Sequence, residues 1–194
     1  MIDNDIIDIN YTKKTINWNR PRFLKKIFTP QELKIISESK NSFNSVWQLW
    51  SMKESAYKIY IREGNSRLFN PLFFKGNIST KNNSHGHVEY NNRKIHTETV
   101  FNSSYIYTQA CYKVMPLEFK ILPIKCEKRK ENTLTLQRSI SNSLASYYDL
   151  KAFQCKISKE QNGAPFVRLN EKKVPISITH HGNFAAYVFN KNRL

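Results

Sequence analysis

The sequence alternates between helix-type and strand-type patterns, and it does so twice. Residues 43–62 place apolar side chains three or four positions apart, which predicts a helix, and residues 72–114 follow as short β-rich runs separated by Asn, Ser and Gly. After Pro116 the order repeats, because residues 131–150 have helical spacing and residues 152–189 again contain short β-rich runs. This repeated order favours two related α+β halves over one doubly wound parallel sheet.

We predict that the two halves are similar, each with a helix packed on an antiparallel sheet, and we place them at residues 1–115 and 116–194. A length of 194 residues suits one domain or two small halves. In the first half, residues 5–10 are predicted as a short strand. The sequence Thr-Pro-Gln-Glu at 29–32 is a capping box, which predicts a helix over 30–38.

The chain is strongly basic. It has 31 Lys and Arg against 15 Asp and Glu, a net charge of +16, which implies an anionic partner: a nucleic acid, a phosphate-rich cofactor, an acidic protein or a membrane surface. A hydrophobic content of 40% excludes a disordered chain. No apolar run approaches the roughly 18 residues that a membrane span needs, and the first residues are acidic where a signal peptide would be basic.

The three cysteines, Cys111, Cys126 and Cys155, have no C-x-x-C spacing. Their odd number and wide separation indicate neither a disulfide framework nor a structural zinc site. We therefore expect a cytoplasmic protein with reduced thiols.

One face of the predicted helix at 43–62 carries charged groups that could do chemistry. Trp50, Glu54 and Lys58 are four residues apart and share that face, so a carboxylate and an ammonium are neighbours. On spacing alone, an ordinary surface ion pair is the commoner explanation of such a pair.

Two further polar groups stand out near the ends of the chain. Asp3, Asp5 and Asp8 crowd into a basic chain, and carboxylates without a Cys or His cluster suit Mg²⁺ better than zinc. His180 and His181 end a predicted strand, where an imidazole and backbone amides could meet a phosphate. A solvated terminus and a structural histidine pair are the alternatives for these two groups.

Taken in order, five segments resemble motifs of the 4′-phosphopantetheinyl transferases. Residues 50–58 match the pattern W-x-x-K-E-(A/S)-x-x-K throughout, and residues 5–9 resemble the G-x-D-I-x-E strand. Residues 22–32 are similar to R-F…(L/F)-T-x-x-E, residues 162–165 to the G-K-P turn, and residues 178–182 to (I/L)-S-H-S-G. The resemblance therefore spans nearly the whole chain.

The order of these motifs implies a particular architecture. In family members with two halves of the surfactin type, the half with the G-K-P and S-H-S-G segments comes first, whereas here it comes second. The resemblance implies a circularly permuted pseudodimer of the phosphopantetheinyl transferase type. Residues 1–115 would be the half that bears the carboxylates, and residues 116–194 the half that bears the histidine motif.

The resemblance also implies a reaction and a site. The phosphopantetheine arm of coenzyme A would pass to a serine of an apo acyl or peptidyl carrier protein, with release of 3′,5′-ADP. Asp5 and Glu54 would hold Mg²⁺ on the pyrophosphate. Lys58 would contact the phosphate or deprotonate the serine, and Glu54 is the rival base.

The same resemblance assigns residues to the cofactor and partners to the chain. His180, Arg22 and Lys53 would bind coenzyme A. The multiply phosphorylated cofactor and an acidic carrier are natural partners for the charge of +16, and no nucleic acid or membrane is needed. A chain with two halves is expected to complete its own site as a monomer.

Several residues depart from the family pattern. Asp3 replaces the motif glycine, and Ile7 stands where surfactin-type members place another metal carboxylate. The simpler expectation is then a site with two protein ligands and water in the remaining positions. Asp8 is a candidate acid in the outer coordination shell. Ala164 replaces the lysine of the G-K-P turn, and His181 replaces the serine after the motif histidine. A phosphate contact at Ala164 is thus missing or supplied from elsewhere.

Two alternative functions remain at this point. A relative that binds carrier proteins without modifying them would fit the altered positions Asp3 and Ala164. A basic nucleic-acid-binding module would fit the charge, with salt-dependent binding indifferent to Glu54, although no signature of a known nucleic-acid-binding module is present.

Overall fold

The computed structural model describes residues 1–125, 129–169 and 172–191. Cys126 lies outside these ranges, whereas Cys111 and Cys155 are free and buried. None of the helices in the described ranges is both long and apolar enough to cross a membrane.

The first half contains four helices and five strands within the described residues. In chain order they are β1 (Ile2–Asp8), α1 (Ile9–Thr15), α2 (Phe23–Ile27), α3 (Pro30–Glu38), α4 (Ser42–Arg62), β2 (Lys75–Ile78), β3 (His85–Tyr90), β4 (Arg93–Phe101) and β5 (Tyr105–Cys111). The second half continues with β6 (Leu117–Pro123), α5 (Arg129–Tyr148), β7 (Cys155–Lys159), β8 (Pro165–Leu169), β9 (Lys172–His181) and β10 (Phe184–Asn190). Short 3₁₀ turns at Pro71–Phe73 and Ala152–Gln154 precede β2 and β7.

The strands form two antiparallel sheets with the same topology. The first sheet has the order β1-β5-β4-β3-β2 and the second β6-β10-β9-β8-β7. In both, the segment between the first and second strands contains one long helix, which is α4 in the first half, after three shorter helices, and α5 in the second. The prediction of an α+β fold with two similar halves is therefore confirmed.

Helix α4 forms the core of the first half. Asn41 caps its start, because the side-chain oxygen accepts the Asn44 amide at 3.0 Å, and Gly64, with a φ of +88°, follows its end. One face of the helix is fully buried against the strands β3, β4 and β5, through Leu49, Met52, Ala56, Ile59, Val88, Ile95 and Ile106. The second half repeats this arrangement, with Ile140 and Leu144 of α5 against the second sheet.

Strand β1 starts and ends earlier than predicted. It covers residues 2–8 rather than 5–10, because the Asp8 carboxylate accepts the Tyr11 amide at 2.9 Å and so begins helix α1 at Ile9. All seven residues of β1 are buried, since α4 packs near one face and β9 and β10 of the second sheet near the other. Ile2 and Ile6 supply apolar contacts to Val188 and Ala186 of β10.

A buried ion pair ties α4 to the elements before and after it. The Lys53 ammonium, fully buried, donates to Glu32 Oε2 at 2.8 Å and to the carbonyl oxygens of Ile27 and Pro71 at 3.0 and 2.8 Å. Glu32 also completes the predicted capping box with Thr29 and accepts the Gly76 amide at 2.6 Å.

Lys53 is therefore corrected from a coenzyme A ligand to a structural residue. Its three N–H groups all have partners inside the protein, and none of its side chain reaches solvent.

This pair leads to a stability prediction. Lys53→Met should lower the free energy of unfolding by about 3–5 kcal/mol, because it leaves the Glu32 carboxylate buried without its counter-charge. Urea unfolding of the variant would measure the loss. The matched control is Lys34→Met, which removes an exposed pair with Glu38 at 3.8 Å and should cost under about 1 kcal/mol. Similar small losses in both variants would contradict the structural role.

Candidate active site

The candidate site lies where β1 of the first half meets α4 and β9. The Lys58 ammonium donates to Asp5 Oδ1 at 3.0 Å, to the Asn4 carbonyl oxygen at 2.8 Å and to Thr179 Oγ1 at 3.3 Å. These three bonds use all three N–H groups of the ammonium. Lys58 thus joins the two halves of the chain. Its ion pair is with Asp5, whereas spacing alone favours an exposed surface pair with Glu54.

Glu54 lies one helical turn before Lys58 and is half-buried. Burial raises the pKa of Glu54 to about 7, the nearby Asp5 carboxylate adds to this rise, and the Lys58 ammonium opposes it. Two carboxylates and one ammonium therefore share a small volume, and the negative charges are not fully balanced.

Lys58 itself stays a cation. Burial alone would lower its pKa, but the carboxylates of Asp5, Asp3 and Glu54 together raise the pKa above its ordinary value. Unlike Lys53, Lys58 is partly exposed, so its charge can attract a phosphate although its N–H groups have partners. An ammonium held in this way is unsuited to accepting a proton near neutral pH.

A pocket of about 530 Å³ opens beside these groups. Asp5 and Glu54 lie at its polar side, and the second half contributes His180 and His181. Its apolar wall comes from α2 and α4 and from the residues around them, and includes Phe23, Phe28, Trp47 and Trp50. The structure therefore brings Asp5, Glu54, Lys58 and His180, all of them predicted site residues, to one place.

The two histidines have different environments. His180 is exposed at the pocket. His181 accepts the Asp8 amide through Nδ1 at 3.0 Å, and burial lowers its pKa, which keeps the ring neutral. Gly182 follows with a φ of +54°, and a side chain there would collide with the Asp8 carboxylate. Thus His181 and Gly182 position β1, while His180 stays free to face a ligand.

The other two aspartates of β1 have structural partners. Asp3 pairs with Arg62 and accepts the Ser177 hydroxyl, and Asp8 caps α1 and accepts the Asn183 amide at 2.9 Å. Both are 2% exposed. The alternative of a solvated terminus is therefore wrong, and Asp8 is too fully bonded to act as an outer acid for a metal.

Arg22 does not line the pocket. It is exposed at the start of α2, where it adopts a φ of +68°, and Arg20 lines the pocket instead. The Arg20 guanidinium lies over the Phe23 ring at 4.9 Å. The assignment of Arg22 to coenzyme A stays a prediction, and Arg20 is the arginine of this loop that lines the pocket.

Sequence reasoning missed Thr179 as a member of the site. Its hydroxyl accepts from Lys58 and donates to Asp5 Oδ1 at 3.2 Å, so it holds both charged groups in place. The signal was present, because Thr179 precedes His180 in a motif where the family has a serine. Only the packing of β9 on β1 shows which groups that hydroxyl touches.

Asp5 and Glu54 are the candidate oxygen donors for Mg²⁺ in this site. Within the described residues, no group of three or more His, Cys, Asp or Glu side chains is placed to hold a metal ion. Asp5 and Glu54 nevertheless supply hard oxygen donors whose mutual repulsion a cation would relieve. Because Mg²⁺ is commonly held by one or two carboxylates together with substrate phosphates, these two residues fit the ion.

Comparison with known proteins gives a family match. The family model described as the 4′-phosphopantetheinyl transferase superfamily matches residues 4–114. Among solved structures, the chain is similar to the crystal structure of Helicobacter pylori holo-[acyl-carrier-protein] synthase in complex with coenzyme A, with a TM-score of 0.46 and 17% identity, covering 57% of this chain and 98% of that one. No curated protein matches the chain.

The environment of Glu54 predicts a pH-dependent gain in stability on its replacement. Folding raises the pKa of the Glu54 carboxyl from 4.5 to about 7, so the free energy of unfolding of the protein falls as the pH rises between these values. At pH 8 in EDTA, the free energy of unfolding of Glu54→Gln should therefore exceed that of the wild type by about 1–3 kcal/mol, and its unfolding temperature should be higher. Near pH 4 the two proteins should unfold at the same temperature.

Thermal unfolding across this pH range would measure the difference. The control is Glu38→Gln on the exposed end of α3, which should show no such trend. A Glu54→Gln variant that is less stable than the wild type at pH 8 would contradict the account of this carboxyl.

Proposed function

The chain belongs to the 4′-phosphopantetheinyl transferase superfamily, and from that premise we propose that it moves the 4′-phosphopantetheine group of coenzyme A to a serine hydroxyl of an apo carrier protein. One observation carries the proposal: Asp5, Glu54 and Lys58 meet at the junction of the two halves, beside a pocket that His180 also lines. These are the residues that the family motifs mark, and two of them, Asp5 and Lys58, bond to each other and to Thr179 of the second half.

The proposed reaction is a displacement at phosphorus. The serine oxygen forms a bond to the phosphorus that carries the pantetheine arm, and the bond from that phosphorus to the bridging oxygen breaks. The leaving group is 3′,5′-ADP, and the serine proton passes to a base. Negative charge grows on the leaving phosphate, so positive groups held in advance at this point lower the barrier.

Lys58 supplies such a charge. The ammonium is already oriented by Asn4, Asp5 and Thr179, so little reorganisation accompanies the reaction. Because its pKa is raised, Lys58 keeps its proton and does not act as the base. Glu54 is then the better candidate to accept the serine proton, since its carboxylate lies on the same helical face.

Asp5 and Glu54 are the residues that would hold Mg²⁺. When bound, the ion would supply charge neutralisation at the pyrophosphate. His180 is exposed and lines the same pocket, where it would contact a phosphate of coenzyme A, with Arg20 in the place first assigned to Arg22.

The proposed roles divide between the two halves. Residues 1–115 would hold the metal and the transferred group, and residues 116–194 would complete the cofactor site. A net charge of +16 favours encounter with an acidic carrier and with coenzyme A. The absence of paired cysteine spacing is the reason to place the reaction in a reducing cytoplasm.

Intact-protein mass spectrometry of apo carrier proteins tests this proposal. Wild type with coenzyme A and Mg²⁺ should add one phosphopantetheine per carrier, and EDTA should prevent it. Asp5→Asn and Glu54→Gln should each lower the rate by at least about 100-fold, because each removes one of the two carboxylates. Lys34→Met, on the exposed face of α3, is the control and should be fully active.

Full activity in both carboxylate variants would contradict the site. A chain that binds apo carrier but never modifies it would favour the non-catalytic alternative. Tight, salt-dependent binding of nucleic acid that Glu54→Gln leaves unchanged would favour the nucleic-acid alternative.

The assembly of the site within one chain predicts that the active species is a monomer. Lys58 and Thr179, from different halves, already bond at 3.3 Å within the same chain. Light scattering should give the monomer mass, and specific activity should not change with enzyme dilution. Activity that falls on dilution together with a dimer or trimer mass would contradict this prediction.

A further inference from the structure

A second set of polar contacts lies next to the candidate site, between β1 and β9. The Ser177 hydroxyl of β9 donates to Asp3 Oδ1 at 2.5 Å and lies 2.6 Å from Asn4 Oδ1. Asp3 Oδ2 accepts from Arg62 Nε of α4, and Arg62 Nη2 donates to the Ile176 carbonyl oxygen at 2.8 Å. These contacts join β1, α4 and β9, the same three elements that hold the candidate site.

Burial separates this set from the groups that a substrate can reach. Asp3 is 2% exposed, Ser177 is 1% exposed and Asn4 is fully buried. Each of the three side chains has hydrogen-bond partners inside the protein. Lys58, in contrast, is partly exposed. A part in the reaction for the three buried residues is therefore indirect, through a group that does face the substrate.

Asn4 connects this set to the Lys58 ammonium. Its backbone amide donates to Asp3 Oδ1 at 3.0 Å, and its side chain contacts Ser177 and, at 3.4 Å, the Tyr107 hydroxyl. Its carbonyl oxygen accepts from Lys58 Nζ at 2.8 Å, the shortest of the three bonds that orient the ammonium. Contacts that fix Asn4 in β1 therefore fix one of the acceptors that orient Lys58.

Ser177 also fixes the position of β9 relative to β1. Thr179 lies two residues further along β9, on the same side of the strand, and bonds to Lys58 and Asp5. The backbone joins the two halves once, through residues 112–116 between β5 and β6. At the site, β1 and β9 are thus held together by noncovalent contacts alone, and Ser177 supplies one of these contacts.

We propose that Ser177 and Asp3 are positioning residues for the transfer reaction, because they fix the Asn4 carbonyl oxygen and Thr179 and so orient the Lys58 ammonium toward the phosphate. The assignment rests on the proposed function. Lys58 lowers the barrier only when it is held where negative charge develops. An error in its direction therefore lowers the rate of reaction more than it weakens the binding of substrate.

Initial rates of carrier modification by the full chain, measured by intact-protein mass spectrometry with coenzyme A and Mg²⁺, test this assignment. Ser177→Ala should lower kcat by about tenfold or more and change the KM for coenzyme A by less than about twofold. The matched control is Ser143→Ala on α5, which removes a serine hydroxyl that bonds to the Tyr187 hydroxyl at 2.7 Å. This control should leave both constants unchanged.

A background without the ammonium distinguishes positioning from a general effect on folding. In Lys58→Gln, the further change Ser177→Ala should cause no additional loss of kcat, because the group that Ser177 orients is absent. A serine that only stabilises the fold would lower kcat by the same factor in both backgrounds. Ser177→Thr, which keeps the hydroxyl, should retain more of the wild-type kcat than Ser177→Val, which has the same shape without it.

The outcomes separate the two proposals. Wild-type kcat in Ser177→Ala, an equal loss in both backgrounds, or a loss confined to KM would overturn the positioning role and leave the proposed function intact. A wild type that modifies no carrier protein would overturn the proposed function, and the positioning role with it. If Ser177→Ala does not fold, Ser177→Thr and Ser177→Val decide the matter, and equal kcat in these two variants would overturn the positioning role.

Discussion

Strand β1 is buried along its whole length, and four of its seven residues are polar. Burying Asp3 and Asp5 without counter-charges would cost several kcal/mol for each ion. Arg62 and Lys58, one turn apart on α4, supply those counter-charges, and β9 adds the hydroxyls of Ser177 and Thr179. The second sheet can therefore pack on β1 only where these polar groups match, and the same match assembles the candidate site.

The two halves share a strand order but carry different polar and charged residues at equivalent positions. Asp5 is the fourth residue of β1, opposite Thr108 of β5, and the fourth residue of β6 is Lys120, opposite Tyr187 of β10. Helix α5 has one acidic residue, Glu131 in its first turn, and carries serines against Tyr187. The repeat supplies two similar sheets, and among the described residues only the junction at β1 combines carboxylates, an ammonium and an exposed histidine.

Local patterns in the sequence were sufficient to predict the main helices and strands and many of the residues that the structure brings together at the candidate site. The capping box at Thr29 and the apolar spacing of residues 43–62 each depend on neighbours in sequence, and both predictions are confirmed. The start of α1 was missed, because a capping aspartate inside a β-branched run looks like part of the strand. Lys53 was misassigned, because adjacent residues on a helix point about 100° apart, so Lys53 faces Glu32 while Glu54 faces the pocket. Contacts between distant segments, such as Thr179 with Lys58 and Arg67 with Asn162, leave no local pattern to detect.

A crystal structure of the chain with coenzyme A and Mg²⁺ tests most directly the claim that the junction of β1, α4 and β9 is where phosphopantetheine transfer takes place. The account predicts that the pyrophosphate contacts Lys58, that Asp5 and Glu54 bind the metal, and that the arm enters the pocket lined by Trp50 and His180. Coenzyme A bound with its phosphates away from this junction, and with Asp5 still paired only to Lys58 and Thr179, would contradict it.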